Sequence, residues 1–343
     1  MSAPGPNSAV RTAPSWVAAA LAPEHRIWIV VIVLGIVGTA VYPQFATLQN
    51  FANIVTQATP TALLAVGVAL VLIVGEIDLS VGSLVSLTSV MIANWMGAED
   101  RLILPVLCVV LCLGGLVGLA NGILTERFGI PSFITTLSML LILQSVNLVW
   151  TAGGPASDLA PAFSAFAGSS WLGVPVGAPI LILIVLAGWF ALYRTVLGRR
   201  FFLVGANPRA AHIAGLNVAR TRIQAFVLCG ILAAMGGAFL TSYAGSGQSW
   251  LGSGLELTAI ASAVIGGVDL FGGRGSATGA IGGAVLLTVI FNLLIIAGVP
   301  AAYNPIVTGL LLIVGTGFNL ISDGQGRLGL WLARRSARLR RTS

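Results

Sequence analysis

The 343-residue chain contains no lysine, so all 17 of its basic residues are arginines. A Walker A loop needs a lysine that reaches the β- and γ-phosphates, and this type of nucleotide site is therefore excluded. Schiff-base chemistry on a lysine amine is excluded for the same reason. The only histidines are His25 and His212, and no H-E-x-x-H or G-x-S-x-G motif occurs. We therefore expect the chain not to be an enzyme by itself and to hold no metal ion or cofactor.

Charged residues are also scarce, at 8% of the chain, whereas 57% of the residues are hydrophobic. Soluble domains carry roughly a quarter charged residues, so this composition indicates a membrane protein. Cys108, Cys112 and Cys229 lie within apolar segments and are expected to pack as small apolar side chains. The net charge of +7 does not predict nucleic-acid binding, because the arginines concentrate in residues 194–222 and in a C-terminal tail.

Apolar runs predict an all-α bundle of about ten membrane-spanning helices, each near the length that a bilayer requires. These runs are residues 27–42, 60–76, 79–97, 102–124, 131–150, 179–193, 223–243, 256–270, 277–297 and 304–321. An even number of spans places both termini on one side, and arginine-rich loops are retained in the cytoplasm. We therefore expect a disordered cytoplasmic tail at 1–25, a transmembrane domain at 26–322 and a basic cytoplasmic tail at 323–343.

The segment Arg194–Arg222 is predicted to be a long cytoplasmic loop, with six arginines and no acidic residue. A loop of this length has room for a short helix. Asn207 is suited to be its N-cap, Pro208 its first residue and Gly215 its left-handed stop. Three alanines would leave a slim face for close docking: Ala210, Ala211 and Ala214. The segment is therefore expected to present a platform to a cytoplasmic partner.

Two acids, Glu76 and Asp78, interrupt what would otherwise be a continuous apolar stretch. Charge at membrane depth is costly, so such residues indicate a functional site. A structural interpretation is equally open, because Asp78 or Ser80 is well placed to cap a helix that begins near Leu79. The candidate residues for a polar translocation path are Asp78, Ser80, Ser83, Asn121, Phe133 and Thr136.

Glycines repeat every four residues in two segments, a spacing that lets a neighbouring helix approach closely. The predicted helix-packing residues are Gly114, Gly118, Gly122, Gly275, Gly279 and Gly283. A weak internal echo also occurs, because Gly75–Leu79 is similar to Gly266–Leu270. Transporters often contain internal repeats, but five residues do not establish one.

Four ordered stretches together resemble one family, the membrane permeases of ribose-, xylose- and galactose-type ABC importers. The stretches are GEIDLSVGSLVSLTS (75–89), NGILTERFGIPSFITTLSML (121–140), VGANPRAAHIAGLNVARTRIQAFVLCGILAAMGG (204–237) and IGGVDLFGGRGSATGAIGGAVLL (265–287). The resemblance extends from about Asn50 to Leu320. The sister family of branched-chain amino acid permeases shares much of this pattern.

The resemblance implies a type II-like permease bundle in the bacterial inner membrane, which moves a monosaccharide into the cytoplasm. ATP and magnesium would be bound by a partner ABC ATPase. The other implied partners are an extracytoplasmic sugar-binding protein and a second permease, either identical or homologous. In this family the segment that matches Asn207–Gly215 is the coupling helix, which docks on the ATPase. The residues assigned to coupling are Gly205, Asn207, Pro208, Ala210, Ala211 and Gly215.

Three alternatives remain at this stage. A branched-chain amino acid permease would have the same architecture and a different solute. An ion-coupled secondary transporter would work alone through intramembrane acids, for which the candidates are Glu76, Asp78, Glu256 and Asp269. Few buried charges and a docking-type loop argue against it. An integral-membrane enzyme would need a nucleophile–base pair or a metal constellation, and the sequence offers neither.

Overall fold

Helices dominate the structure, a computed structural model that describes residues 23–152, 154 and 159–322. This part of the chain contains thirteen α-helices. In chain order they are α1 (Pro23–Val41), α2 (Leu48–Ile73), α3 (Val81–Met96), α4 (Ile103–Phe128), α5 (Ser132–Thr151), α6 (Pro161–Phe166), α7 (Gly177–Trp189), α8 (Val196–Ala206), α9 (Pro208–Ile213), α10 (Val218–Ala244), α11 (Leu255–Ile265), α12 (Ala277–Ile296) and α13 (Asn304–Ser322). A small antiparallel hairpin, β1 (Ser170–Trp171) and β2 (Val174–Pro175), joins α6 to α7.

Each of the ten predicted spans coincides with one helix. Six helices are long and apolar enough to cross a membrane: α2, α4, α5, α7 with its π-helical extension Phe190–Arg194, α10 and α12. Four others are apolar but shorter: α1, α3, α11 and α13. The protein is thus an all-α polytopic membrane protein, whereas ten crossings and cytoplasmic termini stay predictions. The predicted N-terminal tail overlaps α1 from Pro23 onward; its residues 1–22 and the predicted tail at 323–343 lie outside the described residues.

Two predicted boundaries are wrong, each for a local reason. Helix α2 begins well before residue 60, because the Thr47 hydroxyl caps it by accepting a hydrogen bond from the Asn50 N–H at 3.2 Å. Pro60 lies inside this helix and does not start it. Helix α11 ends at Ile265 and not at residue 270, because Gly267 adopts a left-handed φ of +91° that turns the chain.

Helix α2 forms the centre of the bundle. Its C-terminal stretch, Ala62–Ile73, is apolar on every side and buried. A helix that is hydrophobic all round must be surrounded, and α2 contacts α7, α10, α11 and α12. The interruption that follows α2 is therefore held deep within the protein and not at its periphery.

Glycines allow the closest helix contacts. Those of the first predicted ladder lie on α4 and touch the backbone of α10, so that a Cβ atom at any of them would collide with it: Gly114, Gly118 and Gly122. In the second ladder, Gly279 and Gly283 of α12 contact the backbone of Gly266 and Ser262. Gly275 departs from the prediction, because it lies before α12 with φ at +154° and belongs to a loop.

The arginine-rich segment contains two helices, whereas the sequence predicted one. The additional helix, α8, begins where the Thr195 hydroxyl accepts a hydrogen bond from the Gly198 N–H at 3.2 Å. It is amphipathic, with Phe201 and Val204 buried and its arginines exposed. The adjacent pair Arg199 and Arg200 interrupts its apolar residues, so a search for long apolar runs does not detect it.

The expected short helix is α9. The Asn207 side chain accepts a hydrogen bond from the Ala210 N–H at 3.0 Å, Pro208 is the first residue, and Gly215 has a left-handed φ of +85°. The predicted slim face is partly wrong, because Ala211 is buried against the protein itself. The outward face of this segment is formed by Ala210, Ile213 and Ala214, of which Ile213 is 86% exposed.

Candidate functional site

The chain turns sharply after α2 through a stretch that we name the first loop (Gly75–Ser80). Gly75 has a left-handed φ of +83°, and the Glu76 N–H donates to the Val71 carbonyl at 3.0 Å, as in a Schellman motif. Asp78 is only 1% exposed. Its Oδ1 accepts hydrogen bonds from the Ser80 N–H at 2.9 Å and from the Ser80 hydroxyl at 2.6 Å.

This geometry corrects both capping predictions. Helix α3 begins at Val81, with Ser80 as an N-cap residue whose side chain makes no capping bond. The Ser80 hydroxyl instead donates a hydrogen bond to Asp78. Asp78 in turn stabilises the turn before the helix and does not bond the free N–H groups of its first turn. The carboxylate therefore organises the loop by a short side-chain-to-backbone bond.

Neutral polar side chains from α4 and α5 surround the first loop. The Asn121 amide of α4 donates to the Ser80 hydroxyl at 2.9 Å. At the start of α5, the Ser132 hydroxyl accepts from the Ile77 N–H at 3.2 Å, and the Thr136 hydroxyl lies 3.2 Å from the Ile77 carbonyl. We name these residues the Asp78 cluster: Asp78, Ser80, Asn121, Ser132 and Thr136. Together they satisfy much of the polar backbone that the interruption leaves unpaired.

One acceptor in this cluster has no partner. The Asn121 Oδ1 atom is buried and receives no hydrogen bond, although a buried polar atom is normally paired. The Asn147 Oδ1 of α5 is in the same condition, while its amide donates to the Ser83 carbonyl at 3.2 Å. Both amide oxygens therefore keep the capacity to accept a further hydrogen bond.

The structure brings together most of the predicted path residues. Asp78, Ser80, Asn121 and Thr136 meet in the Asp78 cluster, and Ser83 lies one turn further along α3. A different position is found for the sixth, Phe133, which is 51% exposed on α5 and outside the cluster. Sequence reasoning missed Ser132 and Asn147. A signal for Asn147 existed, since it lies eleven residues after Thr136 and therefore on the same helix face.

A partly buried ion cluster, which the sequence did not predict, fixes the first loop from its other side. The Arg222 Nη1 atom lies 2.8 Å from Glu76 Oε1 and 2.9 Å from Glu126 Oε1. Its Nε also donates to the Val74 carbonyl at 3.3 Å. We name this set the Arg222 triad: Arg222, Glu76 and Glu126. It joins the first loop, the end of α4 and the start of α10.

A second interruption, the second loop (Gly266–Ser276), follows α11 and repeats the turn chemistry of the first. The Val268 N–H donates to the Ala263 carbonyl at 3.0 Å across the left-handed Gly267. Asp269 Oδ1 then accepts from the Phe271 N–H at 2.9 Å, the same two-residue step that links Asp78 to Ser80. The echo in the sequence therefore has a counterpart in the backbone.

The two loops touch each other and the arginine-rich segment. The Gly273 N–H of the second loop donates to the Ile73 carbonyl at the end of α2, 2.8 Å away. Gly205, near the end of α8, packs against both of these groups, so that a Cβ atom there would overlap the Ile73 carbonyl. Helix α9 begins three residues after Gly205 and is therefore connected through Gly205 to the end of α2 and to the second loop.

The described residues contain no cluster of metal-ligating side chains. No group of three or more His, Cys, Asp or Glu side chains there could hold a metal ion. A polar cluster enclosed by apolar helices, beside an exposed short helix on a basic segment, instead defines the membrane subunit of a transport system.

The comparisons with known proteins agree with this class. Residues 50–315 match the family described as "Branched-chain amino acid transport system / permease component", and the chain belongs to this family. It is 35% identical to the ribose import permease protein of Escherichia coli over 295 residues, which is 85% of this chain and 92% of that protein. It is 38% identical to the autoinducer 2 import system permease protein of an Enterobacter species over 293 residues, 85% of this chain and 83% of that one. No solved structure matches the chain.

Proposed function

We propose that this protein is the channel-forming subunit of an ATP-driven importer for a small polyhydroxylated solute, a monosaccharide or a compound of similar chemistry. The relatives import ribose and autoinducer 2. The observation that carries the proposal is the contact of Gly205 with the end of α2 and with the second loop, because it links the exposed helix α9 to the segment from which the first loop and its polar cluster begin. In this arrangement a cytoplasmic ATPase docks on α9 and moves it.

The chemistry of the Asp78 cluster suits a neutral solute. Apart from Asp78 its members are an amide and hydroxyls, and the Asn121 Oδ1 is an acceptor without a partner. Such groups give weak, replaceable hydrogen bonds, which a passage requires because tight binding would hold the solute. In this proposal an extracytoplasmic binding protein supplies the affinity, and two copies of the chain form the pathway between them.

The family description favours a second candidate solute, a branched-chain amino acid. A zwitterion carries a carboxylate and an ammonium group, and binding it away from water calls for charges of both signs. The nearest arginine to the first loop is Arg222, and its guanidinium is already shared by two glutamates. This is why we place the amino acid second.

The test uses the importer reconstituted in vesicles with its ATPase and binding protein. Radiolabelled ribose and leucine are offered in separate uptake assays. Uptake of ribose that depends on ATP supports the first candidate, and uptake of leucine alone supports the second. Uptake by vesicles that hold only this chain and an ion gradient would contradict both.

Docking on the ATPase is tested with a matched pair of exposed apolar residues. Ile213→Asp alters α9, where the side chain is 86% exposed, and Leu172→Asp alters the hairpin turn, where it is 87% exposed. We expect Ile213→Asp to weaken co-purification with the ATPase at least tenfold and Leu172→Asp to leave it unchanged. Equal effects of the two variants would contradict the assignment of α9.

A further inference from the structure

A large open cavity lies between α4, α8 and α10, at the end of the bundle that carries the arginine-rich segment. Its volume is about 690 Å³, and it is separate from the Asp78 cluster. The lining residues are Leu119, Arg127, Leu197, Asn217, Ala219, Arg220, Ile223, Gln224, Val227 and Leu228. No acid is among them, and the proposed transport cycle assigns this cavity no role.

The lining is divided along the helix axes into a polar and an apolar part. Arg127 belongs to the last turn of α4 and Arg220 to the first turn of α10, so both guanidinium groups start from the same end. Leu119 lies eight residues before Arg127, roughly 12 Å deeper along the helix. Val227 and Leu228 lie at a comparable depth on α10. The cavity is thus charged at its mouth and apolar further into the bundle.

Among the residues that the structure describes, the two arginines at the mouth have no acidic partner. Neither makes an ion pair or a side-chain hydrogen bond with the residues that the structure describes. The neighbouring acid, Glu126, is held by Arg222 and is unavailable to them. Both Arg127 and Arg220 are exposed, and the mouth therefore presents two free guanidinium groups side by side on adjacent helices.

We propose that this cavity binds an anionic phospholipid, with the phosphate between Arg127 and Arg220 and one acyl chain against Leu119, Val227 and Leu228. Guanidinium groups match phosphate oxygens in geometry as well as charge. Basic pockets between helices at the cytoplasmic surface are known to select such headgroups. The lipid would fill the space between α4, α8 and α10. Helix α8 is separated from α9 by one residue, Asn207.

The test is lipid binding by the purified full-length permease in detergent, measured by native mass spectrometry with phosphatidylglycerol and phosphatidylcholine. We expect preferential binding of phosphatidylglycerol. Neutralising one arginine near a membrane surface weakens binding roughly fivefold, so the double variant Arg127→Gln, Arg220→Gln is expected to bind ~30-fold more weakly. The matched control is Arg199→Gln, because residue 199 lies on the side of α8 opposite Leu197.

Several results would contradict the binding of an anionic phospholipid in this cavity. Equal binding of the two lipids, or an unchanged affinity of the double variant, would overturn the proposal. Competition by inorganic phosphate as strong as by phosphatidylglycerol would show an anion site without a lipid. Loss of ATPase association with unchanged lipid affinity would assign the arginines to the protein partner. Leu119→Trp keeps both charges and fills the apolar end, and it is expected to reduce phosphatidylglycerol binding severalfold.

Discussion

The two interruptions of the bundle share a backbone solution and differ in what their aspartates contact. Each has a left-handed glycine at or next to its first residue and closes a turn through an aspartate that accepts the N–H two residues on. Asp78 is buried, and its hydrogen bond with the Ser80 hydroxyl is extended by the Asn121 amide of α4, which donates to that hydroxyl. Asp269 is partly exposed, and its carboxylate accepts the Phe271 N–H within its own turn.

This difference indicates that the two loops have different roles, although their sequences are similar. In the first loop the turn orients polar groups towards the interior, where a solute passes in our proposal. The second loop supplies backbone to the junction with Gly205 and leaves Phe271 74% exposed. The shared turn thus ends a helix inside a membrane protein. The neighbours of each aspartate determine what else that aspartate contributes.

The largest effect is expected where the two loops meet. In Gly205→Ala the new Cβ atom would overlap the Ile73 carbonyl and approach the Gly273 N–H, both of which are backbone and cannot rotate away. Overpacking costs about 1–3 kcal/mol when side chains can adjust, and we expect more here. The variant should lose ATP-driven uptake at least tenfold and unfold at a lower temperature in detergent.

Gly173→Ala is the matched control for that variant. Gly173 lies in the hairpin turn in open space, so that only the left-handed backbone, at about 1–2 kcal/mol, opposes an alanine. We expect a smaller fall in thermal stability and uptake within about twofold of the wild-type protein. If Gly205→Ala behaved like Gly173→Ala, the contact of α8 with the end of α2 and the second loop would have no mechanical role.

The next largest effect concerns the Arg222 triad, which fixes the first loop and has no equivalent among the described contacts of the second. Arg222→Ala leaves Glu76 and Glu126 without their counter-charge in a largely buried position. Removing one member of a buried pair costs about 3–5 kcal/mol, and the low end applies because Arg222 is 20% exposed. The measurement is the midpoint of thermal unfolding in detergent.

A rescue experiment distinguishes charge from packing in the triad. The triple variant Arg222→Ala, Glu76→Gln, Glu126→Gln removes all three charges and leaves hydrogen-bonding amides. We expect it to recover more than half of the thermal stability that Arg222→Ala loses. A triple variant less stable than the single one would show that Arg222 acts through its packed alkyl chain and its bond to the Val74 carbonyl.

Most of the helical architecture could be predicted from the sequence because each apolar run had to find a place out of water. The short helix α9 could also be predicted, since Asn207, Pro208 and Gly215 act within one or two turns of chain. Features that join distant segments escaped prediction. The Arg222 triad connects residues up to 146 positions apart, and no local pattern distinguishes Arg222 from the other arginines of its segment.

In the candidate site, too, local features could be predicted, whereas contacts between distant segments could not. Glu76 and Asp78 could be singled out because charge is costly at membrane depth. Glu76 belongs to an ion cluster, whereas Asp78 belongs to a hydrogen-bonded turn. This difference depends on helices that come later in the chain. Phe133 was among the predicted path residues, but its side chain is 51% exposed, whereas Thr136, one turn further along α5, is buried and bonds the first loop.

An intermediate effect is expected from the paired substitutions Asp78→Ala and Asp269→Ala, which compare the loops at their shared residue. Asp78→Ala removes two bonds to Ser80 in a buried position, at about 2 kcal/mol. It should lower uptake at least fivefold. Asp269→Ala removes one bond at a partly exposed turn and is expected to change uptake less than twofold. Equal losses of uptake would mean that both loops contact the solute.

The smallest effect distinguishes the residues that precede the next helix in each loop. The Ser276 hydroxyl caps α12 by accepting the Gly279 N–H at 3.2 Å, whereas the Ser80 side chain makes no such cap and bonds Asp78 and Asn121 instead. Ser276→Ala should therefore cost about 1 kcal/mol of stability and leave uptake unchanged.

Ser80→Ala is the counterpart that makes this last measurement informative. It removes no helix cap, so any loss of stability comes from the partners that it leaves unpaired. We expect uptake to fall severalfold, because Asn121 then loses the hydroxyl that orients its amide and its free Oδ1 no longer has a fixed position. If the two serine variants lost stability equally and neither changed uptake, the Asp78 cluster would be a structural turn like that of the second loop.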